Sequence, residues 1–176
     1  MVKQAKYSVI KKLNNIEIRL YNPLILAKVD GFGDSGFNFL FDYISGNNIG
    51  QTDLEMTSPV ISQSIKMTAP VLSEQDSIAF VIPEKFTINE VPKPRDARIK
   101  IQQIPQRYVA VLKFSGRWVS ENFNKKSKQL LEELDRLDIK TKGKLFSMRY
   151  NGPLTPWFLR RNEVAIEVES DFKIVS

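Results

Sequence analysis

The sequence predicts an α+β fold in which one curved antiparallel sheet carries two helices and two similar halves of the chain pair their strands. Short segments of alternating apolar and polar residues indicate half-buried strands. A strand, a glycine break and an amphipathic helix occur twice, around Gly31 and around Gly116. A length of 176 residues suits one domain that buries roughly 70% of its unfolded surface. We therefore expect a single domain over residues 1–176, with halves at about 7–90 and 91–176.

Three strands are predicted before the first helix, because turn residues separate segments with strand-like alternation. These segments are Tyr7–Leu13, Ile16–Tyr21 and Leu24–Asp30. Asn14 and Asn15 tolerate the positive φ of a two-residue hairpin, so the first two strands should pair.

The first helix is predicted after the break at Gly31, with Asp34 or Ser35 as its cap and its end near Ser45, before Gly46. Apolar residues at i, i+4 and i+7 form a stripe along it. The stripe consists of Phe37, Phe41 and Ile44.

The second half is predicted to contain one long helix among several strands. The strands that complete the sheet are Ile78–Ile82, Arg98–Ile104, Tyr108–Phe114, Lys144–Tyr150 and Glu163–Val168. The helix should run from about Ser120 to Leu137, because Phe123, Leu130 and Leu134 fall on one face together with its last residue.

A short motif occurs twice between the first helix and the strand that begins at Ile78. Glu55-Met56-Thr57-Ser58-Pro59-Val60 recurs as Lys66-Met67-Thr68-Ala69-Pro70-Val71, eleven residues later. The proline favours an extended residue before it and cannot donate to a ladder. We expect each copy to form a strand end or edge that presents a thioether and a hydroxyl. A pair of packed strand termini is the alternative to a binding site.

Further segments accompany the doubled motif: Phe80-Val81-Ile82-Pro83, Val91-Pro92-Lys93-Pro94, the turn Tyr150-Asn151-Gly152-Pro153 and the segment from Thr155 through Arg160-Arg161-Asn162-Glu163 to Val164. Together they resemble the SOUL/heme-binding protein family, from about Tyr7 to Glu169. The resemblance implies a distorted, largely antiparallel sheet or barrel with two helices and internal pseudo-two-fold symmetry. It also implies non-enzymatic binding of heme or another tetrapyrrole.

The same resemblance implies where the ligand lies. In family members heme occupies a shallow cleft between the first helix and the sheet, beside the Met-Thr-x-Pro-Val segment. On this chain the cleft would be lined by Phe37, Leu40, Phe41, Ile44, Met56 and Met67, with Lys66 as the propionate partner. The alternative is that the helix stripe belongs to the core, that the methionines fill gaps and that the lysine is an ordinary surface residue.

The chain contains no cysteine and no histidine. Thiolate and imidazole ligation of heme and a Ser-His-Asp triad are therefore excluded, and no catalytic or metal-ligating residue is predicted. Some members of the family have been assigned a histidine ligand, which this chain lacks. We expect any heme to be held by ring burial and propionate pairing and to be exchangeable, which suits buffering or transport.

The formal net charge of +6 favours anionic partners, which are nucleic acid, anionic lipid or a ligand that carries carboxylates. The basic run Lys125–Lys128 is followed by acidic residues on the same predicted helix, so nucleic acid is an unlikely partner. No apolar run is long enough to span a membrane or to form a secretory signal, so we expect a cytoplasmic protein. The oligomeric state is left open.

Two alternatives to tetrapyrrole binding stay open at this point. The architecture resembles small-molecule effector-binding domains, so another amphipathic ligand could occupy the cleft. A hydrolase or heme-degrading activity is the second, although no pair of carboxylates has a spacing that specifies a reaction. Arg160-Arg161-Asn162-Glu163 is expected to form a partly buried Arg–Glu pair, with ligand carboxylate binding as its alternative role.

Overall fold

The structure, a computed structural model, describes residues 3–63 and 76–171. These residues form two compact units. The first unit holds residues 3–6, 22–63 and 76–105, and the second unit holds residues 7–21 and 106–171. The units differ from the predicted halves, because the first two predicted strands belong to the second unit and the strand that ends at Ile104 belongs to the first.

The described residues form ten strands and two α-helices. The strands are β1 (Lys3–Gln4), β2 (Tyr7–Leu13), β3 (Ile16–Tyr21), β4 (Leu24–Asp30), β5 (Thr57–Gln63), β6 (Ser77–Val81), β7 (Ile99–Ile104), β8 (Arg107–Phe114), β9 (Thr141–Arg149) and β10 (Asn162–Val168). The helices are α1 (Phe37–Ile44) and α2 (Ser120–Arg136), and short 3₁₀ turns cover Gly33–Gly36 and Trp157–Leu159.

In the first unit the strands follow the order β1-β5-β6-β4-β7, with β1 parallel to β5 and the other pairs antiparallel. Helix α1 packs on β4 and β6. Gly36 allows this approach, because a Cβ there would lie 2.7 Å from Cγ2 of Ile78. The core that α1 shares with these strands is apolar and consists of Ala27, Val29, Leu40, Tyr43, Ile44, Leu54, Val60, Ile78, Phe80, Ile82, Val91 and Ile99.

In the second unit the strands follow the order β2-β3-β8-β10-β9, and every pair is antiparallel. Helix α2 packs on β8, β9 and β10. Leu130 and Leu134 are fully buried in its core, with Phe123 and Leu137 packed against them, so the predicted apolar face of α2 is confirmed. The other buried members are Ile16, Ile18, Ala110, Leu112, Ile139, Val164, Ile166 and Val168.

The same order of elements recurs in the two units. In each, a strand leads to a helix and then to two antiparallel strands, the second of which pairs with the strand before the helix: β4, α1, β5 and β6 in the first unit, and β8, α2, β9 and β10 in the second. The predicted α+β class with antiparallel strands and two helices is confirmed. The pseudo-two-fold symmetry and the single-domain organisation stay predictions.

The first copy of the doubled motif lies at the start of β5, as expected of a strand end. It does not lie at a sheet edge, because β5 pairs with β1 on one side and β6 on the other. Pro59 lies where the register with β6 shifts between Thr57 and Val60, so its missing N–H falls at an irregularity of the ladder. The second copy, residues 66–71, lies outside the described residues.

Candidate functional site

Helix α1 separates its apolar residues into an inner and an outer group. Leu40 and Ile44 are buried in the core of the first unit. Phe41 is 49% exposed, and its ring stacks on that of Phe37 with centroids 6.1 Å apart and planes 12° from parallel. Phe37 in turn meets the buried ring of Phe80 edge-on at 5.0 Å. A half-exposed aromatic face is thus anchored directly on the core, and we call Phe37 and Phe41 the α1 face.

The opposite flank of α1 carries a second aromatic group that sequence reasoning missed. Phe39 meets Phe32 edge-on with centroids 5.3 Å apart, and the guanidinium of Arg98 lies 3.7 Å from the centroid of Phe39. Arg98 also pairs with Asp96. Because successive helical residues are rotated by about 100°, Phe39 lies far around the helix from Phe37 and Phe41. The only sequence feature that marks this group is Arg98, at the start of a predicted strand. Nothing in the local sequence relates this arginine to a helix some sixty residues earlier.

Met56 and Thr57 show what the first motif copy presents. Met56 lies on the segment between Asp53 and the start of β5, and it is 37% exposed. Asp53 forms an isolated β-bridge with Ser45. The hydroxyl of Thr57 is buried and has no hydrogen-bond partner among the described residues. The motif therefore exposes its thioether and buries its hydroxyl.

The predicted site residues Lys66 and Met67 lie outside the described residues. The strands on either side of them are described. Gln63 pairs with Ser77, and the N–H of Gly31 donates to the carbonyl of Asp76 at 2.7 Å. The described residues on both sides of this segment therefore lie beside the turn that leads into α1.

The described side chains offer few axial ligands for a heme iron. The Tyr43 hydroxyl donates to the Pro92 carbonyl at 2.7 Å, and burial raises the pKa of Tyr43 to about 12, which disfavours a phenolate. Met148 is buried in the second unit and accepts from the Tyr21 hydroxyl. Within the described residues, Met56 is the methionine with an exposed side chain.

The second unit contains a buried ionic network centred on Glu163. Arg19 and Glu163 are both fully buried and form a bidentate pair, with Nη1–Oε2 at 2.8 Å and Nη2–Oε1 at 3.0 Å. Arg161 donates through Nε to Glu163 Oε1 at 2.9 Å, and the Tyr150 hydroxyl donates to Oε2 at 2.9 Å. Arg19 also donates through Nε to Glu17 at 2.8 Å. The predicted partly buried Arg–Glu pair is confirmed as Arg161–Glu163, and Arg19 is a partner that the local sequence did not reveal.

The electrostatic interactions in this network keep Arg19 charged and Tyr150 neutral. Burial alone would lower the pKa of Arg19, but the hydrogen bonds and charge of Glu163 outweigh burial and raise it above its ordinary value. Burial and the neighbouring Glu163 carboxylate raise the pKa of Tyr150, which keeps its hydroxyl protonated as a donor. Arg19, Arg161 and Lys113 face the two glutamates, so both carboxylates are fully paired. The network joins β3, β8, β10 and Tyr150, the residue after β9, within the second unit.

Arg160, the other arginine of the motif, has a different environment. It donates through Nε to the Thr155 carbonyl at 2.8 Å and through Nη2 to the Pro153 carbonyl at 2.8 Å. Its guanidinium lies 4.3 Å from the ring centroid of Trp118. Both motif arginines are therefore committed to contacts within the protein, which favours the structural interpretation of the motif.

Among residues 3–63 and 76–171, no group of three or more acidic side chains could hold a metal ion. Within the same residues, no helix is long and apolar enough to cross a membrane.

Solved structures share this fold at low sequence identity. The C-terminal domain of EcmrR has a TM-score of 0.63 and 11% identity, with 93% of this chain and 98% of that chain covered. A structure described as a hydrolase from Listeria innocua has a TM-score of 0.63 and 11% identity, with 91% of this chain and 94% of that chain covered. Identities this low show the fold alone. No curated protein sequence matches the chain.

The family comparison covers nearly the whole sequence. A model of the SOUL heme-binding protein family matches residues 2–167, which include both copies of the motif and the Arg-Arg-Asn-Glu segment. The chain therefore belongs to the SOUL heme-binding protein family.

Proposed function

We propose that this protein binds heme or another tetrapyrrole on the α1 face, without catalysis and without a histidine or cysteine ligand, as a cytoplasmic buffer or carrier. The observation that carries the proposal is the near-parallel stack of Phe37 and Phe41, in which the Phe41 ring is half exposed and Phe37 is anchored on the core. Membership of the SOUL heme-binding protein family supports the ligand class.

The α1 face suits a large flat ring. A porphyrin laid on it would remove apolar area from water on both partners, at roughly 25 cal/mol per Å², so one covered face contributes several kcal/mol. Stacking on a ring such as Phe41 adds about 0.5–1.5 kcal/mol. Leu40 and Ile44 support the face from the core side, so the ring meets a surface that is already rigid.

The ligand's two propionates need a cation. Arg98 lies on the opposite flank of α1, over Phe39, and is paired with Asp96. Lys66 stays the proposed partner, because the described residues that flank its segment lie beside the start of α1. A charge-assisted contact of this kind would orient the ring and add little to its burial energy.

Weak axial ligation makes the binding exchangeable. The sequence contains no histidine or cysteine, and Tyr43 is buried and bonded to a carbonyl. A thioether such as that of Met56 or Met67 favours the ferrous state of iron. A heme held mainly by its ring should be released on the timescale that a carrier or buffer requires.

The experiment is an absorbance and fluorescence titration of the purified protein with hemin and, separately, with iron-free protoporphyrin. We expect saturable one-to-one binding of both, with similar affinity. Phe41→Ala should weaken both at least about tenfold, since it removes the exposed ring of the stack. Phe158→Ala, which removes a phenylalanine of similar exposure in the second unit, is the matched control and should bind as the unchanged protein does.

Three results would contradict parts of this proposal. A large preference for hemin over protoporphyrin would show that iron ligation dominates. Equal losses in both variants would show that the α1 face is not the site. Absence of porphyrin binding, with saturable binding of another amphipathic molecule that Phe41→Ala abolishes, would assign the site to a different ligand class.

A further inference from the structure

A protruding loop of the second unit exposes an unusual amount of apolar surface. Leu154 is 97%, Leu159 65%, Phe158 57% and Trp157 51% exposed. They lie within six consecutive positions, between Pro153 and Arg160, and Trp157 and Phe158 meet edge-on at 5.6 Å. Four large apolar side chains grouped on one loop mark an interaction surface rather than the scattered exposure of an ordinary protein surface. We call these four residues the Trp157 surface.

The loop that carries the Trp157 surface is held in place. Arg160 bonds two of its carbonyls, those of Pro153 and Thr155. The carbonyl of Trp157 accepts from the N–H of Gly116 at 3.0 Å. The apolar side chains are therefore presented on an ordered support, and their exposure is not the result of a loose chain.

One arginine lies beside the Trp157 ring, and two others lie over the neighbouring Trp118. The guanidinium of Arg117 lies 5.9 Å from the Trp157 ring centroid. Arg149 and Arg160 lie 5.5 and 4.3 Å from the ring centroid of Trp118, the residue after Arg117. Within the described residues, neither Arg117 nor Arg160 forms a salt bridge. In the part of the chain that the structure describes, Arg117 and Arg160 therefore have no carboxylate partner.

We propose that the Trp157 surface docks this protein on the surface of an anionic lipid bilayer. Tryptophan, phenylalanine and leucine are the side chains that enter the boundary between headgroups and acyl chains. Arg117, beside the ring of Trp157, would bind a lipid phosphate, and each basic residue near an anionic surface contributes roughly fivefold in affinity. The net charge of +6 attracts the whole chain to the same surface.

The composition of the surface favours a bilayer over the other anionic partners. A nucleic acid would use the arginines and leave the leucines and phenylalanine in water. A bilayer uses both the apolar tip and the cations at its base. This proposal is independent of tetrapyrrole binding, which is assigned to residues of the first unit.

The test is flotation of the full chain with vesicles of phosphatidylcholine alone and of phosphatidylcholine with phosphatidylserine. We expect flotation with the anionic vesicles that falls as salt is raised. A Leu154→Ser/Phe158→Ser variant should bind at least about tenfold more weakly, because two inserted side chains are lost. These side chains are exposed, so far-ultraviolet circular dichroism and the thermal midpoint should be unchanged.

A matched pair of variants tests whether the positive charge beside the Trp157 surface contributes to vesicle binding. Arg117→Gln removes one cation beside the surface and should weaken binding roughly fivefold. Lys125→Gln removes one cation from an exposed position of α2 and should weaken it less, since only the long-range attraction changes.

Four outcomes would overturn the proposal. They are no flotation with anionic vesicles, equal flotation with neutral vesicles, unchanged flotation of the Leu154→Ser/Phe158→Ser variant, and equal losses in Arg117→Gln and Lys125→Gln. A concentration-dependent dimer that this double variant abolishes, without vesicle binding, would instead make the Trp157 surface a self-association interface.

Discussion

Each of the two units exposes aromatic side chains to about half of their surface, but the support behind these side chains differs. In the first unit the exposed ring of Phe41 lies on Phe37, which lies on the buried Phe80. In the second unit Trp157 and Phe158 contact each other while both remain more than half exposed. The first surface is the outer layer of a core, whereas the second is the tip of a loop with arginines at its base.

This difference shows that the exposure of an apolar surface does not by itself determine which kind of ligand the surface binds. A rigid apolar face backed by a core suits a flat molecule that needs one fixed surface. An apolar tip with cations beneath it suits a boundary where apolar and anionic layers follow each other. The surrounding charge and support therefore decide between two surfaces that composition alone would not distinguish.

The units also differ in how they are held together, and this yields the largest expected effect. The second unit has the buried Arg19–Glu163 pair, whereas the core of the first unit is built from apolar side chains. Arg19→Met should lower the free energy of unfolding by about 3–5 kcal/mol, because it leaves part of a buried carboxylate uncompensated. Urea denaturation measures this loss.

The control for this effect is Arg98→Met in the first unit, where the ion pair with Asp96 is solvent-exposed. Exposed pairs contribute little, so we expect no clear change in stability. A double variant, Arg19→Met/Glu163→Leu, should recover much of the loss, since no buried charge remains unpaired in that pair. A loss below about 1 kcal/mol in Arg19→Met would show that the network does not hold the second unit together.

The two faces of α1 give the next comparison. Leu40 is fully buried, and Leu40→Ala should cost about 2–5 kcal/mol of unfolding free energy through the cavity that it leaves. Phe41→Ala should instead reduce porphyrin affinity with a small effect on stability. Chemical denaturation and porphyrin titration of both variants separate core from ligand face. A Leu40→Ala protein of unchanged stability would mean that the inner face is not part of the core.

Alkaline pH should act on the first unit through Tyr43. Its pKa rises from an ordinary 10 to about 12 on folding, so the neutral phenol is favoured in the native state. The resulting stabilisation is fully present below pH 10 and is lost as pH rises through 12, by roughly 2–3 kcal/mol.

Tyr43→Phe isolates this contribution from other tyrosines. At neutral pH the variant should lose about 1 kcal/mol with the hydrogen bond to Pro92. Because the variant has no phenol to ionise, the difference in urea midpoint should shrink and reverse as pH rises above 10. A difference that stays constant with pH would contradict a raised Tyr43 pKa.

Most of the fold could be predicted because its signals are local. The bounds of β2, β3 and β4 follow from alternation and from Asn14-Asn15, and the inner face of α2 follows from its 3.6-residue period. Pro59 predicted a strand end or edge, and the strand end is what the structure has, since the motif starts β5. The sequence could not exclude the edge, because the register shift that accommodates the proline in a doubly paired strand is set by the neighbouring strands.

The site was less predictable, because it depends on long-range contacts. The sequence identified the apolar stripe of α1 but could not show that Ile44 enters the core while Phe41 stays half exposed. The Arg19–Glu163 pair joins residues 144 positions apart, and a lone arginine in a strand carries no sign of its partner. Exposure of the Trp157 surface is likewise set by tertiary structure, and the sequence analysis made no prediction for it.

The smallest expected effect is a difference in unfolding free energy between two variants, and it directly tests the comparison between the two aromatic surfaces. Phe41→Ala should cost about 1 kcal/mol of unfolding free energy, because its ring packs on one that is fixed by the core. Phe158→Ala should cost under about 0.5 kcal/mol, because its partner Trp157 is itself exposed and loses little on truncation of its neighbour. Replicate urea titrations resolve this difference. Equal costs would mean that the two surfaces have equal support, and the distinction between a core-backed face for a flat ring and a loop tip for a bilayer would then depend on charge alone.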